Sequence, residues 1–180
     1  MTRMASFIVV AGLAAGIAGC DTAPPTPSGK AELTDDVSAT LNRMQLEDPS
    51  LQEFLDNSYG YAIFPTVGKG AFIAGGGYGK GELFEQGQFV GYTDISQATV
   101  GAQVGGATFS EILVFNTPAP VERFKQGQLA FDANASAVAL KSGAAASAQY
   151  EDGVAIFVEA RAGFILEAAV GGQSFAFQPK

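Results

Sequence analysis

The segment "GELFEQGQFVGYTDI", residues 81–95, has the sequence pattern of a β-hairpin. Two segments of strand length flank the turn "EQGQ", in which a glycine supplies the backbone freedom that a tight turn needs. This pattern predicts two antiparallel strands joined by a hairpin. Similar segments recur along the chain, among them "YGYAIF" (59–64), "TFSEILVFN" (108–116), "GVAIFVEAR" (153–161) and "QSFAFQ" (173–178). We therefore predict a β-rich part over about residues 59–178.

The character of these segments indicates the shape of the sheet. The run "ILVF", residues 112–115, is apolar on both alternating faces, which is typical of a central strand covered on both sides. The many glycines inside strands favour bulges, sharp bending or close backbone approach. We expect a predominantly antiparallel, strongly coiled or barrel-like sheet. Its core is predicted to contain Ile63, Phe72, Leu113, Phe115, Phe157, Phe164 and Leu166.

Helical patterns lie before and within this β-rich part. Thr34 is a candidate N-cap for a first amphipathic helix, and Asp48 followed by Pro49 starts a second, so short helices are expected within residues 34–57. Thr117 and Pro118 start one further helix near residues 118–126. The small-residue stretch 134–153 fits either a strand pair or an ordered loop. The predicted fold class is α+β, with N-terminal short helices before the β domain and one short inserted helix.

Composition excludes several classes of function. The net charge of −8 argues against a nucleic-acid partner, since no basic surplus exists to neutralise phosphates. The chain has no histidine, which excludes a Ser-His-Asp triad, a Cys-His pair and histidine-based zinc sites. The run "AGGGYGKG" (74–81) alternates its glycines with period two and fits neither common phosphate-loop pattern. We expect no catalytic residue, no metal and no cofactor, and hence no enzyme.

The N-terminus has the pattern of an exported protein. Arg3 provides a short positive region, and residues 5–19 form an uncharged apolar run too short for a permanent membrane span. The run ends in "IAGC", which resembles the lipobox of bacterial lipoproteins. That resemblance implies a signal peptide over residues 1–19 and a diacylglyceryl group, with acyl chains such as palmitate, on Cys20. A plain secretory signal is the alternative, but it would leave a lone thiol in an oxidising compartment.

A proline-rich segment follows Cys20. Residues 20–33 contain no large apolar residue before Leu33 and have extended polyproline character, so we interpret them as a tether. The domain proper is then expected over residues 34–180. Residues 21–58 carry eight acidic and two basic side chains, whereas a helix that lies on an anionic membrane usually has a basic polar face. We therefore expect the N-terminal helices to pack on the domain.

Several motifs in order resemble the SYLF domain in its bacterial lipoprotein form. They are a Tyr-x-Ile-Phe-Pro segment (61–65), the glycine-rich segment 70–81, a Thr-Val-Gly-x-Gln-x-Gly-Gly segment (99–106), the "FDANASAV" stretch (131–138) and the closing stretch 162–177. The resemblance covers about residues 47–177. It implies a lipid-binding module, since SYLF domains of eukaryotes bind phosphoinositides and other anionic membranes and some are linked to actin.

The resemblance also implies candidate site residues. These are Lys69, Gly75, Gly76, Gly77, Gly79, Lys80 and Gly81, as a lipid-facing surface; ordinary packing and surface roles are the alternative for each. The expected function is that of a lipoprotein in the bacterial cell envelope. Its membrane partner is reached through acylated Cys20, and its domain, in the periplasm or at the cell surface, binds phospholipid or a similar amphiphile. A structural lipoprotein that binds another envelope protein is the alternative, and an unrecognised hydrolase is the third candidate.

Overall fold

A computed structural model describes residues 22–69, 76–98, 107–129, 137–162 and 172–180. The helices are α1 (Pro27–Glu47), α2 (Ser50–Asp56) and α3 (Pro118–Lys125), and a 3-10 turn spans Ala145–Ser147. The strands are β1 (Gly60–Lys69), β2 (Gly76–Glu85), β3 (Gln88–Ala98), β4 (Ala107–Phe115), β5 (Ala137–Ala139), β6 (Val154–Ala162) and β7 (Gln173–Pro179). The α+β class is confirmed, and both N-terminal helices are present.

The strands form one sheet in the order β5-β6-β4-β1-β2-β3-β7. Every pairing is antiparallel except that of β5 with β6, which is parallel. The hairpin predicted at residues 81–95 joins β2 to β3, and both Gln86 and Gly87 of its turn have positive φ, as a two-residue hairpin turn requires. In the described part of the chain β5 and β7 are the two edges and do not pair. The barrel-like alternative is therefore wrong.

The sheet is nevertheless strongly coiled. The rings of Phe64 in β1 and Phe175 in β7 lie 6.0 Å apart, although β2 and β3 separate their strands. In a flat sheet three strand spacings would amount to about 14 Å. The space on the concave side is filled by α3, whose Phe124 ring lies 5.1 Å from Phe175 and 5.4 Å from Phe115. The helix thus packs against both β4 and β7 on the concave face.

Glycine permits this coiling at Gly81. A Cβ atom at that position would lie 2.2 Å from the carbonyl oxygen of Ile63 and 2.8 Å from the Phe64 ring. Both distances are shorter than any van der Waals contact, so β2 can approach β1 in this way only without a side chain there. The sequence-based expectation of close backbone approach is confirmed.

Both faces of the sheet are covered. Leu113 and Phe115 face the concave side, in the cluster that includes α3, whereas Ile112 and Val114 face the convex side beneath α1 and α2. β4 is therefore the doubly covered strand that the run 112–115 predicts. Of the predicted core, Ile63, Leu113, Phe115 and Phe157 are fully buried, which confirms them. Phe72, Phe164 and Leu166 lie outside the described residues.

The first helix begins earlier than predicted. α1 starts at Pro27, and the hydroxyl of Thr26, rather than that of Thr34, accepts the capping hydrogen bond, from the backbone N–H of Gly29 at 3.1 Å. Residues 27–33, which we assigned to the extended tether, are therefore helical. The physical reason is that Thr26 and Pro27 are themselves an N-cap and a first-turn proline. α3 begins at Pro118 after Thr117, as predicted.

The small-residue stretch, for which a strand pair and an ordered loop were both possible, is described from residue 137 onward. Residues 137–139 form the short strand β5, which pairs with β6 outside this stretch, and the chain then continues as an ordered loop with the 3-10 turn. Among the described residues no helix is long and apolar enough to cross a membrane.

Candidate functional site

The predicted site residues that the structure describes run from one end of the sheet to the middle of β2. At this end β1, β3 and β6 finish and β2, β4 and β7 begin, as the pairings of Lys69 with Gly77 and of Gly76 with Ala98 show. We call it the glycine-rich end. Cys20 and Gly75 lie outside the described residues, and Lys69 is the last residue of β1. The other five candidates are all in β2: Gly76, Gly77, Gly79, Lys80 and Gly81.

The β2 candidates divide between the two faces of the sheet because side chains alternate along a strand. Gly79 and Gly81 occupy the concave face, where a Cβ at Gly79 would lie 2.7 Å from the carbonyl oxygen of Thr66. These two glycines pack inside the sheet, so their described environment matches the packing alternative. Lys80 occupies the convex face together with Tyr78 and Glu82, on the side that carries α1.

Lys80 is engaged within the protein. Its ammonium group donates a hydrogen bond of 2.7 Å to the carbonyl oxygen of Thr22 and lies 5.9 Å from the centre of the Tyr78 ring. Across the ladder it pairs with Asp94 of β3, whose carboxylate also receives a hydrogen bond from the Thr22 side chain. Lys80 thus links the segment before α1 to the sheet.

Two carboxylates beside Lys80 have unusual acidity. Burial raises the pKa of Asp94, and the Thr22 side chain and the Lys80 charge offset this only in part. Burial likewise raises the pKa of Glu82, which is 1% exposed, against the lowering effect of a 2.6 Å hydrogen bond from the Thr34 hydroxyl. The cation of Lys30 lies 5.1 Å from the centre of the neighbouring Tyr92 ring. This convex cluster is therefore a set of internal polar contacts.

Sequence patterns did not identify the polar group on the concave face near the same end. The amide of Gln173 donates a 2.9 Å hydrogen bond to the carboxylate of Glu111, and Gln97 lies on the strand next to β7. All three side chains are at most 2% exposed. The sequences of their strands have ordinary alternating patterns. The only sign of this group in the sequence is that polar residues occupy positions that face inward.

Sequence patterns also did not identify an ion pair that fastens α1. Arg43 donates to both carboxylate oxygens of Glu159 in β6, at 2.6 to 2.9 Å, and to the Ser110 hydroxyl at 3.1 Å. Ser110 in turn donates to the carbonyl oxygen of Pro65, where the pairing of β1 shifts register. Such a fork on a carboxylate is the geometry for which arginine is suited. The pair fixes where α1 crosses the sheet.

A cleft of about 610 Å³ lies near the opposite end, between α1, α2 and the β2–β3 hairpin. Gln45, Gln52 and Asp56 line it and are joined by two hydrogen bonds of 2.7 Å. Tyr61 contributes an aromatic wall, and burial together with the charge of Asp56 raises its pKa. The lining residues include a carboxylate and no cation, so this cleft does not favour an anionic ligand. A smaller cleft of about 310 Å³ lies between α2 and residues 145–150.

Within the described ranges no group of histidine, cysteine, aspartate and glutamate residues has the arrangement of a metal site. The class of protein that emerges is a single α+β domain with an open, coiled sheet. Of its predicted site residues, Lys69 and Gly76 lie at one end of the sheet, whereas Gly79, Lys80 and Gly81 lie toward the middle of β2.

Comparison with known proteins adds the family. Residues 96–179 match the family model described as Ysc84, Las17-binding protein actin regulator, which corresponds to the SYLF domain. The chain is also 26% identical over 137 residues to beta cell expansion factor A of Aeromonas veronii. That alignment covers 75% of this chain and 52% of the relative, so the chain spans about half the length of the curated relative it matches. These matches confirm the resemblance to the SYLF family that the sequence motifs indicate.

Proposed function

We propose that the protein is a lipid-anchored lipoprotein of the bacterial cell envelope whose SYLF domain binds lipid and catalyses no reaction. Cys20 is the anchor, and the membrane is the partner. The domain then works in the periplasm or at the cell surface and contacts phospholipid or a similar amphiphile. No cofactor or metal takes part in this function.

The single observation that supports this proposal best is the position of the chain just after Cys20. Thr22 is held by Lys80 and Asp94, two residues of the strands that reach the glycine-rich end. An acylated Cys20 would therefore keep the predicted lipid-facing strand close to the bilayer. A protein held at a membrane needs only weak affinity for lipid, because its effective concentration at the surface is high.

The family description supports one alternative. The matching model is described as a Las17-binding actin regulator, which is a protein-binding activity. On this alternative the domain would bind another envelope protein and contain no lipid site. The two proposals share the anchor and differ in the ligand of the domain.

The anchor is tested by the mass of the mature protein and by its location. We expect the wild type to carry a diacylglyceryl group on Cys20 and to remain wholly in the membrane fraction, since two acyl chains give stable attachment. The substitution Cys20→Ser should abolish the modification and normal processing. A mature protein with an unmodified thiol would refute the anchor.

The nature of the lipid contact is tested with charge reversals. The double change Lys69→Glu and Lys80→Glu should weaken vesicle binding if the contact is electrostatic, and high salt should weaken it as well. Because Lys80 contacts Asp94 and Thr22, Lys69→Glu alone is the cleaner variant. The matched control is Lys141→Glu, at an exposed position in the loop after β5. Equal binding by all variants at every salt concentration would refute an electrostatic contact.

A further inference from the structure

The segment that follows Cys20 is docked on the sheet. Thr22 is 6% exposed and Ala23 is 4% exposed. Lys80 donates to the Thr22 carbonyl at 2.7 Å, and the Ala23 backbone N–H donates to the side chain of Gln178 at 3.0 Å. Three strands, β2, β3 and β7, thus hold two consecutive residues. Only Asp21 separates Cys20 from this docked segment, so the connection between Cys20 and the domain is short.

The direction of this segment follows from its contacts. Ala23 is held at Gln178, which pairs with Tyr92, whereas Thr22 is held at Lys80 and Asp94, two residues further along β3. Moving from Ala23 to Thr22, the chain therefore runs toward the glycine-rich end. The next level in that direction contains Tyr78, which pairs with Ser96, and Ser174, whose hydroxyl lies 2.9 Å from that of Ser96.

Chain geometry limits how far the anchor can lie from this place. Two residues span at most about 7 Å, so the Cα atom of Cys20 stays within that distance of Thr22. The level of Lys80 is four residues, or about 13 Å, from the level of Gly76 at the end of the sheet. Continued in the direction from Ala23 to Thr22, this short connection would bring an acyl group on Cys20 into the bilayer on the side of the glycine-rich end rather than on the side of the β2–β3 hairpin.

We propose that the docked segment Thr22–Pro24 orients the domain on the bilayer, with the glycine-rich end and the patch formed by Tyr78, Ser96 and Ser174 against the lipid. The inference rests on the proposed anchor at Cys20. The partner of this patch is a lipid surface, because the short connection to the anchor holds the patch close to the bilayer.

The side chains of this patch fit an interfacial position. Tyr78 is 39% exposed and is one of only two large apolar side chains exposed in the described residues. Tyrosine suits the boundary between lipid and water because its ring is apolar and its hydroxyl is polar. Its two neighbours are neutral serines, and both are exposed.

The charge of α1 agrees with this orientation. Its exposed acidic residues are Glu32, Asp35, Asp36 and Glu47. Its two cations are engaged elsewhere: Lys30 contacts Tyr92 and Arg43 binds Glu159. An anionic bilayer would therefore repel the outer side of α1, which leaves the end of the sheet as the side that approaches lipid.

The orientation is measured by fluorescence quenching in vesicles. A genetically encoded fluorescent amino acid replaces either Ser96, in the patch, or Gln88, an exposed residue at the opposite end of β3. The processed full-length protein is reconstituted into phosphatidylcholine vesicles that contain lipids with a nitroxide quencher. We expect several-fold stronger quenching at position 96 than at position 88. Equal quenching at the two positions, or stronger quenching at 88, would overturn the inference.

A linker insertion isolates the role of the docked segment. Twelve Gly and Ser residues inserted between Asp21 and Thr22 have a reach of about 20 Å and keep both the anchor and the domain. We expect the difference between positions 96 and 88 to disappear. A difference that survives the insertion would overturn the inference, because the lipid affinity of the domain would then set the orientation, as the proposed function alone allows.

Failure of the anchor is recognised separately. The intact mass of the same preparation shows whether Cys20 is acylated. An unmodified thiol would refute the anchor, and that thiol can then be coupled to a maleimide lipid in the vesicles. The quenching comparison then still decides whether the docked segment orients the domain.

Discussion

Asp48 shows how a single side chain organises two parts of the chain. It is fully buried between α1 and α2, and its carboxylate accepts hydrogen bonds from Ser50 and from the backbone N–H groups of Gly143 and Ala145. Burial alone would raise the pKa of Asp48, but these hydrogen bonds outweigh it and lower the pKa below its ordinary value. The sequence predicted its place before α2 and gave no sign of its long-range partners.

The substitution Asp48→Asn is expected to destabilise the protein by about 2 kcal/mol or more, because an amide nitrogen would face buried N–H donors. Urea denaturation measures this change. Asp35→Asn is the matched control, since it removes the same charge from an exposed position of α1 and should alter the free energy of unfolding by less than about 0.5 kcal/mol. Equal effects of the two substitutions would contradict the role of Asp48.

The difference in stability between the wild type and Asp48→Asn is expected to depend on pH. The folded-state pKa of Asp48 is lowered, so its contribution to stability is complete above the unfolded pKa of about 3.9 and is lost as the pH falls through the lower folded value. The stability advantage of the wild type over Asp48→Asn should therefore shrink below about pH 4. An advantage that grew in acid would contradict the lowered pKa.

Glu82 is expected to behave in the opposite way. Burial raises its folded-state pKa, so the wild type loses stability as the pH rises through the window above the unfolded value of about 4.3. Glu82→Gln removes the buried charge and can keep the contact with Thr34. We expect this variant to be at least as stable as the wild type at pH 7 and to lose that advantage below about pH 4. A loss of more than about 1 kcal/mol at pH 7 would show that the ionised carboxylate stabilises the fold.

At the scale of helices and strands, the sequence predicted the helices, the hairpin and the doubly covered strand β4, because each has a local signal. The start of α1 was misplaced because the prolines around it were interpreted as an extended tether. Only the structure reveals that the segment before the helix is buried on three strands, and no local pattern encodes those contacts. Lys80 was identified as a candidate from the family resemblance, but its partner Thr22 lies 58 residues away.

Glycine substitutions test the coiling of the sheet. Gly81→Ala places a methyl group against the carbonyl of Ile63, which is backbone and cannot move aside without shifting β1. We expect a loss of about 1–3 kcal/mol, as for other overpacked interiors. Gly68→Ala, in the neighbouring strand, meets nothing within 4 Å and is the matched control. If both variants melted at the same temperature, close approach would not be the reason for glycine at position 81.

At the scale of the whole molecule, pattern and composition predicted an α+β domain. They did not decide between an open, coiled sheet and a barrel-like sheet. Closure depends on whether the edge strands β5 and β7 pair, and in the described residues they do not. The candidate site stays a prediction, and most of its described residues lie in β2. Its glycines at 79 and 81 pack inside the sheet, and the inward-facing Glu111 and Gln173 belong to the same end of the domain.

Vesicle co-sedimentation measures whether the folded domain binds lipid without its anchor. The protein used should comprise residues 21–180, because a start at residue 30 would remove the buried Thr22 and Ala23 and the first residues of α1. We predict that this unacylated domain sediments with phospholipid vesicles. Circular dichroism checks that the domain is folded. A folded domain that binds neither anionic nor zwitterionic vesicles would contradict this prediction and favour a protein partner.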